Sequence, residues 1–340
     1  MIPCRATAAT LSPLILGASI VAAVPAHAAE PPPRAEDTAA AIGFVYENDI
    51  FANADRHYTN GVQAFYSPPE SGTPGWITDA AAAFPLLDPA GHKRVVFSLG
   101  QKMYTPADIS RPVPDPRDQP YAGFLYTDIG VVSETAERLD RLNLTLGVVG
   151  PWAFAKQTQI FVHHQTQSTI PKGWSHQLRN EPAVVLSYER AWRRLYEASP
   201  FGLGFDVTPR LGASVGNVTT LAAAGVTVRL GVDLPQDYGP PRISPAIQGT
   251  SAFVPGRDVG WYLFAGAEGR AVARNIFLDG NSFRDGPSVS RRPWVGDLQA
   301  GLAVTVGGVR LAYTHIFRTK QFDGQPRADQ FGSLSLSTRF

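Results

Sequence analysis

The chain has 340 residues, 30 Lys+Arg against 29 Asp+Glu and a net charge of +1, and it contains one cysteine. A balanced charge with no basic block excludes a nucleic-acid-binding role. One cysteine supports neither a disulfide framework nor a thiolate zinc site. No stretch beyond the N-terminal region holds the roughly 20 uncharged apolar residues of a membrane-spanning helix, which leaves an exported soluble globule or a β-barrel.

In chain order, Arg5 precedes an apolar run, Leu11 to Val24, that ends in Pro25-Ala26-His27-Ala28. A basic start, a short apolar core and small residues at the cleavage positions predict a signal peptide over residues 1–28. Cys4 would leave with it. The Pro-rich segment 29–40 reads as a tether, and 41–340 as one domain.

From Ala41 onward the pattern is alternation. Leu142, Leu144, Leu146 and Val148 alternate with Asn143, Thr145 and Gly147; Leu298, Ala300, Leu302 and Val304 alternate with Gln299, Gly301 and Ala303. A period of two marks strands with one apolar and one small or polar face. About twelve such runs are expected, many near the roughly ten residues of a tilted membrane strand. They lie near 41–48, 61–67, 94–101, 123–133, 139–149, 182–192, 202–213, 220–232, 259–272, 294–306, 308–318 and 331–340.

A soluble sandwich alternates too. Three features favour an all-β, twelve-stranded antiparallel transmembrane barrel. The polar faces are rich in Gly, Ser, Thr and single charges. Phe44, Tyr46, Phe124, Tyr126, Trp261, Tyr262, Tyr313 and Phe317 sit near strand ends, as in an interfacial girdle. The final run, Leu334, Leu336, Thr338, Phe340, has the form read by bacterial barrel-assembly machinery. Between strands two and three, Trp76 to Phe84 reads as a short amphipathic helix, with a periplasmic plug or cover as its plainest role.

With both termini on the periplasmic side, strands one, three and five rise to the cell-surface rim. That gathers Glu47-Asn48-Asp49, the stretch Met103-Tyr104-Thr105-Pro106, and the long segment 151–181, where a short extracellular helix is expected. His163 lies in that segment. A lone loop histidine is more often an ordinary polar residue than a base, but this one shares its rim with Asn48 and Asp49, hard oxygen donors suited to Ca²⁺, and with the Thr59 hydroxyl. Ester hydrolysis needs a base for water and donors for an oxyanion, and this set contains both. Asn and Asp also favour turns, and on composition and spacing alone the metal-site and plain-turn readings of Asn48-Asp49 stand even. Asp55-Arg56 reads as a loop ion pair. No Gly-x-Ser-x-Gly elbow is expected, and no serine two positions beyond His163 supplies a Ser–His pair.

These stretches resemble the lipid A 3′-O-deacylase (LpxR) family. The resemblance is carried by Glu47-Asn48-Asp49-Ile50-Phe51 with Asp55-Arg56-His57-Tyr58-Thr59-Asn60-Gly61, by Gly100-Gln101-Lys102-Met103-Tyr104-Thr105-Pro106, and by Asp118-Gln119-Pro120-Tyr121-Ala122-Gly123. It continues through Gly150-Pro151, Gln159, His163, Pro171-Lys172-Gly173-Trp174, Gln177, Asn180-Glu181-Pro182 and Asn275 to Asn281. It implies an outer-membrane barrel that cleaves the 3′-linked acyloxyacyl group of lipid A in a Ca²⁺-dependent reaction, at a site between wall and helix on the outer rim. His163 matches the general base, Asn48 and Asp49 the polar pair beside it, and Thr59 the hydroxyl near the oxyanion; Asp49, with Asn48, is the expected holder of Ca²⁺. Lys102, Tyr104 and Tyr121 are expected as loop contacts to lipopolysaccharide phosphates and sugar. The chain departs from the family pattern at Thr169, where some members carry an acid, and at Ala155-Lys156-Gln157, where many carry Gly-Glu. Two other classes stay open: a structural barrel or narrow pore without activity, and an outer-membrane phospholipase.

Overall fold

The computed structural model describes residues 37–52, 57–243, 245–246, 249–250, 253–255 and 258–340. The signal peptide, most of the tether and Asp55-Arg56 lie outside the described residues. The chain forms β1 (Ala41–Asn48), β2 (His57–Ser67), α1 (Gly75–Ala83), β3 (His92–Thr105), β4 (Ala122–Glu134), β5 (Arg138–Val149), α2 (Ala155–Thr166) and β6 (Glu181–Trp192). It continues with β7 (Tyr196–Ala198), β8 (Gly204–Gly216), β9 (Thr219–Val232), β10 (Val259–Asn275), α3 (Ile276–Asp279), β11 (Trp294–Val306), β12 (Val309–Arg318) and β13 (Asp329–Arg339).

Twelve of these strands form a closed antiparallel wall. Consecutive wall strands pair, β6 joins β8 from Val185↔Gly216 to Ala191↔Arg210, and β1 joins β13 from Ala41↔Arg339 to Asn48↔Gly332. The three-residue β7 only adds to the edge of β8. No helix among the described residues is long and apolar enough to cross a membrane.

The strands fall where alternation predicts them, with longer ends. β2 begins at His57 rather than 61, and β3 runs from His92 to Thr105 rather than 94–101. The backbone ladder continues past the point where apolar alternation stops, because rim residues answer to loops and not to hydrocarbon. Ile42, Phe44, Leu99, Val184, Leu263, Leu302, Leu311 and Leu336 point outward as an exposed apolar belt. Alternate residues face a polar lumen. The expected aromatic girdle divides accordingly. Phe44, Trp261, Tyr313 and Phe317 are exposed on the outer wall, whereas Phe124, Tyr126 and Tyr262 are buried inside, one register position away.

Both ends of the wall lie at one rim, where Ala40 and Phe340 exchange backbone hydrogen bonds of 2.9 and 3.0 Å. We call this the terminal rim and the opposite one the distal rim. The end of the expected tether is docked: Asp37 is buried and holds Arg94 (3.1 Å) and Arg339 (2.6 Å). α1 also lies at the terminal rim, with Ile77 and Ala81 buried and Trp76 exposed.

The plug comes from elsewhere. The connection between β9 and β10 starts at the terminal rim and turns into the lumen. Arg242 donates to Glu47 of β1 (2.7 Å) and to Gln299 of β11 (2.9 Å). Asp237 accepts from Arg229 of β9 and Arg310 of β12, and Arg141 of β5 donates to the Gly249 carbonyl (2.7 Å). Arg270 of β10 reaches the Pro245 carbonyl (3.2 Å). One connection is thus tied to strands on several sides of the wall. Composition did not reveal it, because Pro, Gly and single charges read equally well as a surface loop.

Two outcomes follow. Arg242→Ala leaves the buried Glu47 without its guanidinium, and loss of one partner of a buried pair costs about 3–5 kcal/mol; the thermal transition of the folded barrel should drop accordingly. The intact protein should show no channel steps in planar bilayers, and steady conductance would show that the lumen is open.

Candidate active site at the distal rim

Strand register brings the motif residues to one rim. Asn48 of β1 pairs with Asn60 of β2, His57 with Thr105 of β3, Tyr104 with Ala122 of β4, and Phe124 with Val149 of β5. The chain leaves β5 at Gly150, whose φ is +104° and whose absent Cβ would lie 2.6 Å from the Arg179 carbonyl carbon and the Asn180 nitrogen. Only glycine fits so tight a turn. Pro151–Ala153 form a single helical turn and α2 follows.

α2 packs on the wall through a stripe at helical spacing. Ala155, Gln159 and His163 are its buried residues, each one turn after the last. A Cβ on Gly123 of β4 would lie 2.6 Å from that of Ala155, so the helix sits as close as glycine permits. Gln101 of β3 donates to the Ala153 carbonyl (2.6 Å). Beneath the helix, Trp174 and Tyr121 meet with ring centroids 4.9 Å apart, and the buried Trp174 Nε1–H donates to Gln159 Oε1 (2.7 Å). The Gln159 side-chain nitrogen is buried without a hydrogen-bond partner among the described residues.

His163 is 8% exposed, and its Nδ1 lies 2.6 Å from the Thr169 carbonyl oxygen. A carbonyl only accepts, so Nδ1 carries a hydrogen, and of the two neutral tautomers this contact selects the one with its lone pair on Nε2. At Thr169 the orienting contact is thus made by the backbone carbonyl and not by the side chain.

The Asn48 side-chain oxygen accepts from the Ile50 N–H (2.7 Å), which starts the short turn Asp49–Ala52. The turn reading of this residue therefore holds, whatever else its oxygen does. Asp49 is 3% exposed. The Thr59 hydroxyl is buried 2.7 Å from that of Thr105. A hydroxyl has one donor and two acceptor positions, so with Thr105 donating, the Thr59 proton is free for another acceptor.

The three expected substrate contacts stand elsewhere than in exposed loops. Lys102 and Tyr104 belong to β3 and face the lumen, Lys102 buried with its ammonium 4.9 Å from the Tyr126 ring centre, Tyr104 stacked on Phe277 at 4.0 Å. Tyr121 is fully buried under Trp174. The period-two register turns Lys102 and Tyr104 inward, whereas Tyr121 precedes β4 and packs with Met103, Ile109 and Ala155 under α2.

His57 was passed over as a motif letter. It is fully buried, with Nδ1 2.6 Å from Asp329 of β13 and Nε2 3.2 Å from Asp118 in the 106–121 connection. A carboxylate at each nitrogen suits only the doubly protonated ring. The cluster clamps three segments of the distal rim and holds His57 at φ +63°. Burial raises the pKa of Asp118, but hydrogen bonds from His57 and from the Ala107 and Gln119 N–H groups outweigh this and hold it below the usual carboxylate range. The clamp is therefore present above ordinary carboxylate pKa values and is lost as pH falls through the depressed one. Two distant acids aligned on one histidine leave no signal in local spacing.

A Gly-x-Ser-x-Gly string was also passed over. Gly212-Ala213-Ser214-Val215-Gly216 has the spacing, but it lies within β8, and Ser214 shares a 2.9 Å hydrogen bond with Ser187 of β6. A nucleophile elbow requires a sharp strand-to-helix turn, which an extended strand lacks.

The model of the family described as outer membrane protein LpxR matches residues 14–340. The chain belongs to the LpxR family. Among solved structures, LpxR from Salmonella typhimurium aligns at a TM-score of 0.72 with 20% identity, over 88% of this chain and 100% of that one. The β-domain of the Bordetella autotransporter BrkA aligns at 0.44 with 10% identity, over 89% of this chain and 99% of that one. Among curated proteins no relative matches. The LpxR family is one of outer membrane proteins, so the exposed apolar belt faces lipid.

Trp174→Phe keeps most of the packing and removes the donor to Gln159. An unsatisfied buried acceptor costs about 1–3 kcal/mol, and amide exchange along α2 should speed up correspondingly while the wall strands keep their protection.

Proposed function

We propose that the chain is an outer-membrane hydrolase that removes the 3′-linked acyloxyacyl group from lipid A, at a site on the cell-surface rim. The observation that carries this reading is His163: a buried imidazole on the wall-facing stripe of α2, its Nδ1 occupied by the Thr169 carbonyl and its Nε2 left as base. Family membership supports the lipid A substrate class, and termini on the periplasmic side would turn the distal rim outward.

His163 Nε2 takes a proton from water as the oxygen adds to the ester carbonyl. The Thr59 hydroxyl, with Thr105 donating to it, offers its proton to the oxyanion. Collapse of the tetrahedral species breaks the bond to the sugar oxygen, which recovers the proton from His163, giving a carboxylic acid and a sugar hydroxyl. The free Gln159 nitrogen, one turn before His163, is a further donor for the acyl group.

The donor set suits Ca²⁺ in kind. Asn48 and Asp49 are hard oxygen ligands, but no group of three or more His, Cys, Asp or Glu residues fit to hold a metal occurs among the described residues. Most of the six to eight oxygens that Ca²⁺ takes would therefore come from carbonyls, water or substrate. Asn48 and Asp49 would hold the ion, which when bound supplies positive charge toward the oxyanion. The ion ties across the lumen weigh against the pore alternative.

His163→Ala should fold and lose at least about 10²-fold in rate, the share of a general base, and chelation of Ca²⁺ should stop turnover. Mass spectrometry of lipid A from cells with and without the gene checks the substrate. Unaltered lipid A with altered phospholipid would point to a phospholipase, and full activity of His163→Ala would remove the imidazole from the reaction.

A further inference from the structure

α2 is amphipathic in an unusual sense: its buried stripe contains Gln159 and His163, while its large apolar residues are exposed. Trp152 is 66% exposed, Phe154 55%, Phe161 65% and Val162 42%. Phe154 and Phe161 stand two turns apart and so share a side of the helix. Lys156, also exposed, lies well round the helix from both phenylalanines, with the exposed Gln157 and His164 between. The helix thus has a face to the wall, a polar face and an aromatic face.

The aromatic face is not waiting for another part of the wall. α2 is already seated by the close approach to Gly123, by the Gln101–Ala153 hydrogen bond and by Trp174. The turn before it is tied down where the Trp152 N–H donates to Asn180 Oδ1 (2.8 Å). Phe154 is held exposed at φ +58°, a conformation that costs a bulky residue energy without giving it a packing partner.

What meets this face is indicated by continuity. The turn rises directly from β5, and the outward residues just below it, Leu146 on β5 and Val184 and Leu186 on β6, belong to the lipid-facing belt. Trp152, Phe154 and Phe161 prolong that belt past the end of the strands. A contiguous exposed apolar patch marks an interaction surface, and aromatic residues beside a basic and amide face are the composition of a helix lying in a membrane interface.

We propose that the Trp152–Phe154–Phe161 face of α2 lies in the acyl-chain layer of the membrane, so that the helix is a lipid-embedded lip of the barrel. The claim rests on the outer-membrane placement and not on the hydrolytic reading. Its consequence is that His163 and the hydrocarbon layer stand on different sides of one helix, only a helix diameter apart. A scissile ester near the chain–headgroup boundary would reach the imidazole without being drawn into water.

The test is spin-label accessibility in a Cys4→Ser background, Cys4 being the only native cysteine. Single variants Phe154→Cys, Phe161→Cys and Lys156→Cys are labelled with a nitroxide and reconstituted into phosphatidylcholine vesicles, with folding checked by heat-modifiable gel migration. Labels at 154 and 161 should collide more with oxygen than with a water-soluble nickel chelate, and a label at 156 should show the reverse. Nickel excess at 154 and 161 would overturn the proposal. Exclusion of both reagents there, with spin–spin broadening between copies, would also overturn it by assigning the face to a second copy of the chain.

Discussion

Hydrocarbon offers no hydrogen bonds, so every backbone N–H and C=O that passes through it must find a partner inside the protein. In this chain the pairing of β1 with β13 completes that requirement, and the rest of the architecture depends on it. Once the sheet closes, register is no longer adjustable strand by strand. A slip of one residue would exchange the leucines of the belt for lumen serines and arginines around the ring. The same closure fixes which strand ends share a rim, and Asn48, Thr59, Tyr104 and the root of α2 are neighbours by that count.

Closure also creates an interior that is only partly filled as an ordinary core: beside an apolar cluster that includes Val45, Phe65, Phe124 and Tyr126, it is lined by many charged groups. Here charge is matched by charge. Arg318 binds Asp297 through two hydrogen bonds of 2.9 and 2.7 Å, and Arg229 does the same with Asp206 while also meeting Asp237 of the plug. Removing two charges from water costs several kcal/mol each, and the pair repays that only when its geometry is good and its remaining donors are satisfied. Such a lattice is better read as holding the plug in one place than as a source of net stability. It also explains why the connection after β9 enters the lumen: unplugged, Glu47 and Arg310 would lose Arg242 and Asp237, their partners there.

The wall was legible in the sequence because a period of two is a local property, visible within any eight residues. Strand ends were less so. His57 and Tyr104 belong to strands but lack apolar alternation, and ladder pairing is a relation between segments rather than a feature of one. The plug was hidden for the same reason, since what turns residues 233–243 inward is charge on distant strands, Glu47, Arg229 and Arg310 among it. At the rim, the motif strings located the right segments but not the direction of each side chain. Lys102 stands within those strings and points into the lumen, Tyr121 packs under Trp174, and the acids that hold His57 lie far from it in the chain.

The inverted character of α2 follows from where it is built. A helix on a soluble domain turns its apolar stripe to the core, because water is the alternative. At the rim of a membrane barrel the alternative on one side is lipid, and only a small cluster of Met103, Ile109, Tyr121 and Trp174 lies beneath the helix to receive apolar groups. The low-cost arrangement is then a polar stripe against the wall, small or amide residues where the approach is close, and aromatic residues facing away. Ala155 against Gly123 supplies the close approach, and Gln159 held by Trp174 supplies the satisfied polar contact. A histidine one turn further is partly removed from water and still hydrogen-bonded, through its own chain at Thr169. An imidazole in that position keeps one nitrogen committed to orientation and leaves the other available.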